Sequence, residues 1–274
     1  EYISSFTNKF AQSVNVSPAA IWKKKRFISR FSDQASFRID KKTQETDALA
    51  RFNPFILKVA DTALISLNSQ IRNSLFFNRN NPVWGMDFSN SDSRNKILLL
   101  NGFDSRSFIE YNSRIRWNIA RKWETTVKLV SGKKNLVSEI SPSKNYAITI
   151  KNLNPVINFQ PSNSFRLSLF YDMKNKINDK TLGGEKSLLQ EVGTELRLSK
   201  IKKGNMDLRL SFIDVYYTGE INSSKTFEMI EGLNAGNNIT WQLSMQRHVN
   251  EYIQISFTYT GRKSENVQLI HTGS

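Results

Sequence analysis

Apolar and polar residues alternate with a period of two along much of this chain. Over Ile109–Ile119, the residues Ile109, Tyr111, Ser113, Ile115, Trp117 and Ile119 share one parity, and Glu110, Asn112, Arg114, Arg116 and Asn118 share the other. Successive side chains of a strand point to opposite faces, so this segment predicts a strand with one greasy, aromatic face and one charged face. The same signature recurs at Phe31–Ile39, Ile65–Phe77, Trp84–Phe88, Trp123–Leu129, Phe165–Met173, Val192–Leu198, Met206–Phe212, Ile239–Met245 and Ile253–Tyr259. Tyr146, Ile148 and Ile150 resume the apolar pattern, Pro155 is expected to interrupt it as an edge, bulge or break, and Ile157 and Phe159 continue it. After Phe212 the apolar parity switches to Ile213, Val215 and Tyr217, which predicts a β-bulge. Val267, Leu269 and His271 begin a last strand.

The connections sort into two kinds. Short turns are expected at Arg121–Lys122, Pro161–Asn163, Lys200–Asn205 and His248–Glu251. Long connections are expected from Lys41 to about Asp61, around Leu98–Phe103, through Gly183–Gly184 and up to Gly236. The strand beginning at Trp84 is expected to dissolve at Asn90–Arg94. Short turns on one rim and long loops on the other distinguish an outer-membrane barrel from a soluble sandwich. The pattern therefore predicts an all-β fold, an antiparallel transmembrane β-barrel with about twelve strands visible. A leading segment over 1–30 contains at most one strand, and 31–274 is the barrel domain, expected to be incomplete at its C-terminus.

Composition fits this reading. Hydrophobic residues make up 39% of the 274 residues, and mean hydropathy is −0.46. A barrel with a wet interior needs only one apolar face, and no run of 18 apolar residues offers a membrane helix. The absence of cysteine removes disulfides, thiolate nucleophiles and cysteine-type zinc sites. The net charge of +15 raises nucleic-acid binding, but the basic residues are spread through strands and turns without a recognisable module. The reading is therefore no nucleic acid, with cations lining a lumen or facing lipid headgroups. The run Lys23–Arg26 after Trp22 is either a headgroup or partner contact or a solvated turn.

Candidate chemistry is sparse. His248 and His271 are too few and too isolated for a histidine metal site, and a Ser/His hydrolase on a barrel is disfavoured because His248 falls in a short turn, the wrong rim for lipid chemistry from outside. Glu191 and Glu195 share a strand face, as a glycosidase pair would, but Arg197, Arg209 and Arg166 offer them ion pairs instead. No phosphate loop or dinucleotide fingerprint exists. No catalytic residue, metal or cofactor is therefore assigned, and the protein is read as non-enzymatic. The residues on the polar parity, Arg114, Arg116, Arg166, Arg197, Arg209, Glu110, Glu195 and Asp207, are assigned to the lumen. They either lace it shut by ion pairs or line an anion-favouring pore. Trp84, Trp117, Trp123, Tyr171, Trp241 and Tyr259 are assigned to interfacial girdles.

The stretches Phe227–Arg247 (FEMIEGLNAGNNITWQLSMQR) and Gln254–Gly273 (QISFTYTGRKSENVQLIHTG) resemble the closing strands of large Bacteroidota outer-membrane proteins. FRID at Phe37–Asp40, FNPF at Phe52–Phe55, LFFN at Leu75–Asn78, NGFD at Asn101–Asp104 and LGGE at Leu182–Glu185 fit the same resemblance. It implies the outer membrane of a Gram-negative bacterium, contact with lipid and lipopolysaccharide, and other envelope subunits as partners. It also implies a final strand with a terminal aromatic, which this sequence does not reach. Three functions stay open: a membrane-embedded subunit or anchor of an envelope complex for secretion, transport or barrel assembly; a pore for small solutes; and a soluble β-sandwich binding module.

Overall fold

The computed structural model describes residues 5–18, 27–44, 64–200, 204–220, 223, 225–248, 253–265 and 268–274. The Lys23–Arg26 run, the FNPF stretch and the turns at 201–203 and 249–252 lie outside the described residues. Within them the chain is one antiparallel meander. Its strands are β1 (Phe6–Val16), β2 (Phe31–Thr43), β3 (Leu64–Phe77), β4 (Trp84–Leu99), β5 (Gly102–Ala120), β6 (Trp123–Ser138) and β7 (Tyr146–Ser162). They continue with β8 (Phe165–Asn178), β9 (Lys186–Lys200), β10 (Gly204–Thr218), β11 (Gly236–His248), β12 (Gln254–Ser264) and β13 (Ile270–Gly273). Each strand pairs with its sequence neighbours in a single 13-stranded sheet, and β1 and β13 do not pair with each other among the described residues.

The strands outrun their periodic cores. β4 does not dissolve at Asn90–Arg94, because Asn90, Ser91, Asp92, Ser93 and Arg94 each pair with both β3 and β5. Strand pairing needs only the backbone, so a polar stretch continues a ladder that its flanks have set. The connection expected around Leu98–Phe103 is a tight hairpin, with Leu99 opposite Gly102. Pro155 does not break β7: its register with β6 and β8 is unchanged on either side. The missing proline N–H is replaced locally, since Asn154 Nδ2 donates to the Tyr171 carbonyl at 3.3 Å. Register shifts fall instead at Lys42/Thr43, Asn118/Ala120 and Phe159/Ser162.

The switch of apolar parity in β10 is not a bulge. Its ladders to β9 and β11 run without a shift through Phe212, Ile213 and Val215. Phe212 and Tyr216 are exposed on one face, whereas Ile213 and Val215 are buried on the other. β7 behaves alike: Tyr146 and Ile148 are buried, whereas Ile157, of opposite parity, is exposed. The apolar residues change face because the upper part of the charged face carries something to bury against.

That something is a short helix, α1 (Thr226–Ile230), in the β10–β11 connection expected to be a plain loop. Met229 and Ile230 pack with Tyr146, Ile148, Leu189, Ile213 and Val215, flanked by Leu136, Ile150, Tyr217 and Leu233. The helix also fixes the curvature of the sheet. Lys134 of β6 reaches Glu228, and Arg262 of β12 reaches the Gly232 carbonyl. Six strand spacings separate β6 from β12, about 29 Å in a flat sheet. Glu228 and Gly232 are about 6 Å apart along a helix. Only a sheet curled around α1 permits both contacts, so the charged parity is the inner face of a barrel-like shell.

Candidate functional site: the plugged inner face

The segment carrying α1 is tied down by its backbone as well as its side chains. Glu231 adopts a left-handed conformation (φ 55°) and Gly232 follows at φ 72°, which ends the helix after one turn and aims its last carbonyls outward. Those carbonyls would be unsatisfied in a buried site. Lys176 Nζ donates to Glu228 O at 2.8 Å, Ser187 Oγ to Met229 O at 2.7 Å, and Arg262 to Gly232 O at 2.9 Å. Three different strands therefore cap one helix end.

Ion pairs complete the clamp. Lys134 meets Glu228 at 2.5 Å, Lys176 meets Glu231 at 2.9 Å, and Lys174 meets Glu231 at 3.0 Å and Asp172 at 3.4 Å. Burial alone would raise the Glu231 carboxyl, but Lys176 and Lys174 outweigh it and hold the group below its ordinary value. A carboxylate with a depressed folded value stabilises the docked state at higher pH, and that contribution is lost as pH falls through the folded value. We therefore expect proteolysis within 219–235 to accelerate as pH drops below about 4.5, the ordinary glutamate range. Glu231→Gln should flatten that step; an unchanged profile in E231Q would remove Glu231 from the clamp.

The residues assigned to the lumen from sequence occupy this inner face, mostly nearer the opposite rim. Arg114 pairs with Asp87 on β4, with Nε–Oδ2 at 2.7 Å. Arg197 Nε meets Asp207 Oδ1 at 2.6 Å, and Arg209 meets Glu191 at 3.0 Å. Arg209 also lies over the Phe170 ring at 4.6 Å. Arg116 holds no carboxylate; it donates to the Asn81 carbonyl at 2.8 Å and so fastens the β3–β4 turn. Arg166 has a buried Nε without a partner among the described residues, in a cavity shared with Glu124 and Asn158. Glu195 sits opposite Arg209 and Ser168 in the ladder, and Glu110 lines the cavity beside α1 with Lys128 and Lys174. Glu191, considered as half of a carboxylate pair, is thus an ion-pair partner of Arg209.

The six aromatics assigned to girdles divide. Trp84 lies opposite Trp117 at the rim of the short turns, and Trp123 packs on Phe159 with ring centroids 4.6 Å apart. Phe31, Phe77 and Trp84 extend the same row. Tyr171, Trp241 and Tyr259 are mid-strand, opposite Val192, Leu210 and Leu243 respectively. His271 is exposed and packs near Tyr259, while His248 ends β11. Among the described residues no group of His, Cys, Asp and Glu could hold a metal ion.

Sequence reasoning missed α1 because five residues give no helical period. The available signal was the paired change of apolar parity in β7 and β10, which together mark a patch of inner face needing a cover. No family model matches the chain, and no curated protein matches it.

Proposed function

We propose that this protein is a non-enzymatic outer-membrane β-barrel whose interior is occluded by its own β10–β11 segment, serving as a membrane-embedded subunit or anchor of an envelope complex. One observation carries the reading: most of the outer face is apolar and exposed, Ile39, Lys41 and Thr43 of β2 being buried there, while the ion pairs between strand residues lie on the inner face, Asp92–Arg94 apart. Ile115, Trp117, Leu129, Ile157, Leu169, Val192, Leu210, Phe212 and Met245 are all exposed. The accessible surface of 18467 Å² compares with about 12,000 Å² expected for a soluble monomer of this mass. A soluble sandwich would cover the apolar face with a second sheet, and the described residues form a single sheet.

The outer face is also banded. On β5 the apolar positions run from Trp117 to Ile109, about 20 Å in height once strand tilt is allowed for. Beyond the band, toward the rim opposite the short turns, the same parity carries Lys133, Lys151 and Lys186, all exposed. Cations at that level suit the phosphates of lipopolysaccharide. The occluding segment favours an anchor or subunit over a solute pore, because it is held by apolar burial and ion pairs together.

The test is partitioning. The purified chain should require detergent to remain monodisperse, float with phosphatidylcholine liposomes, and show a blue shift of tryptophan emission on insertion. A monodisperse monomer in plain buffer would overturn the membrane reading.

A further inference from the structure

We infer that the half of the interior not occupied by the plug is a binding site for a small multivalent anion on a polyol or sugar frame. This inference rests on the barrel reading for its access route but not for its chemistry. The plug shows what the inner wall accepts: its Glu228 and Glu231 are taken by Lys134, Lys174 and Lys176. Across the interior, the part of the β2–β6 wall nearer the short turns has the same basic character, and no described residue of the plug lines the cavity there. There a cavity of about 490 Å³ is lined by Arg72, Arg114, Lys128, Asp87, Asn112 and Phe76, with serine hydroxyls and Gln34 between them. That volume is within the range of small-ligand sites.

The charges do not balance. Among the described residues Asp87 is the one carboxylate lining the cavity, and it is already held by Arg114. Arg72 and Lys128 are left as cations lining the cavity, and Lys128 also borders the cavity beside α1, which Glu110 lines. Guanidinium and ammonium groups together fit sulfate, phosphate or carboxylate oxygens. The remaining lining is not that of a bare ion site. Asn112 Oδ1 is buried and has no donor among the described residues. A buried acceptor without a donor is costly, and a ligand hydroxyl would supply one. Phe76, which also carries Arg79 over its ring at 4.3 Å, adds an aromatic side chain to the lining.

The probe is inositol trisphosphate, which keeps free hydroxyls beside its phosphates, titrated calorimetrically into the full chain in detergent micelles, with inositol and inorganic phosphate as comparators. Micelles keep the test independent of liposome insertion, so failure here is distinct from failure of the membrane reading. We expect the trisphosphate to bind at least tenfold tighter than inorganic phosphate, and the double variant R72Q/K128Q to lose at least tenfold. Lys151→Gln, on the outer face, should leave binding unchanged. Equal loss in K151Q and R72Q/K128Q would overturn the site, because it would reduce binding to net charge. Inorganic phosphate binding as tightly as the trisphosphate would overturn the polyol frame. Retained gel mobility of unheated R72Q/K128Q certifies that the variant is folded.

Discussion

Met229→Asp is expected to release the plug and convert a silent barrel into a conducting one. Met229 is fully buried among Ile148, Leu189, Ile213 and Val215. Its truncation alone forfeits about 2–3 kcal/mol of burial, and an unpaired carboxylate in that place adds a desolvation penalty, for about 4–5 kcal/mol in all. Ion pairs of the partly exposed Lys134 and Lys174 are worth about 1 kcal/mol or less, and that of the buried Lys176 is offset by the desolvation of its ammonium. The clamp of Lys134, Lys174 and Lys176 therefore cannot hold the segment once its apolar anchor is lost. A change of this size shifts the docked population about a thousandfold. In planar bilayers the native chain should be electrically quiet, whereas M229D and a variant with 226–232 replaced by a Gly/Ser linker should both show stable steps. Phe227→Ala, in the same helix but exposed, should behave as the native chain does. Quiet bilayers for both disruptive variants, with the protein demonstrably inserted, would mean that α1 is not what closes the interior.

The same contrast shows what was legible in the chain and what was not. Strands such as β5 were visible because one face is polar and the other apolar, and a period of two records that difference at each position. The salt-bridging of the interior was also legible, since Arg197 and Asp207 lie on the polar parity of two strands joined by a short turn. What the pattern could not carry was anything decided by backbone continuity or by a third element. β4 continues through Asn90–Arg94 because its neighbours supply a complete ladder. Ile213 and Val215 look like a register error until α1 is placed against them. Pro155 looks like a break until Asn154 is seen to replace its donor. In each case a local rule was overridden by a partner distant in sequence.

Gly193→Val is expected to be strongly damaging to the sheet. Gly193 lies on the inner face of β9, between Phe170 on β8 and Ser211 on β10. A Cβ built there would run into the Phe170 ring, with Cε1 at 2.8 Å, and into the Leu210 carbonyl at 2.8 Å. The ring lies in the space a side chain would occupy, and Arg209, itself paired with Glu191, lies over the ring. A larger residue must expel Phe170 and with it the stacked guanidinium, so the cost combines overpacking with loss of the cation–π contact and the ion pair. We expect about 3 kcal/mol or more, against less than 1 kcal/mol for Thr194→Val on the opposite face of the same strand. Space rather than backbone conformation is the cause, since Gly193 is not among the glycines of positive φ. That distinction is testable by a double-mutant cycle: Phe170→Ala should recover part of the loss of Gly193→Ala, measured as the urea midpoint of the heat-modifiable band. Strictly additive losses would show that the ring and the glycine are not coupled, and that the glycine serves the strand in some other way.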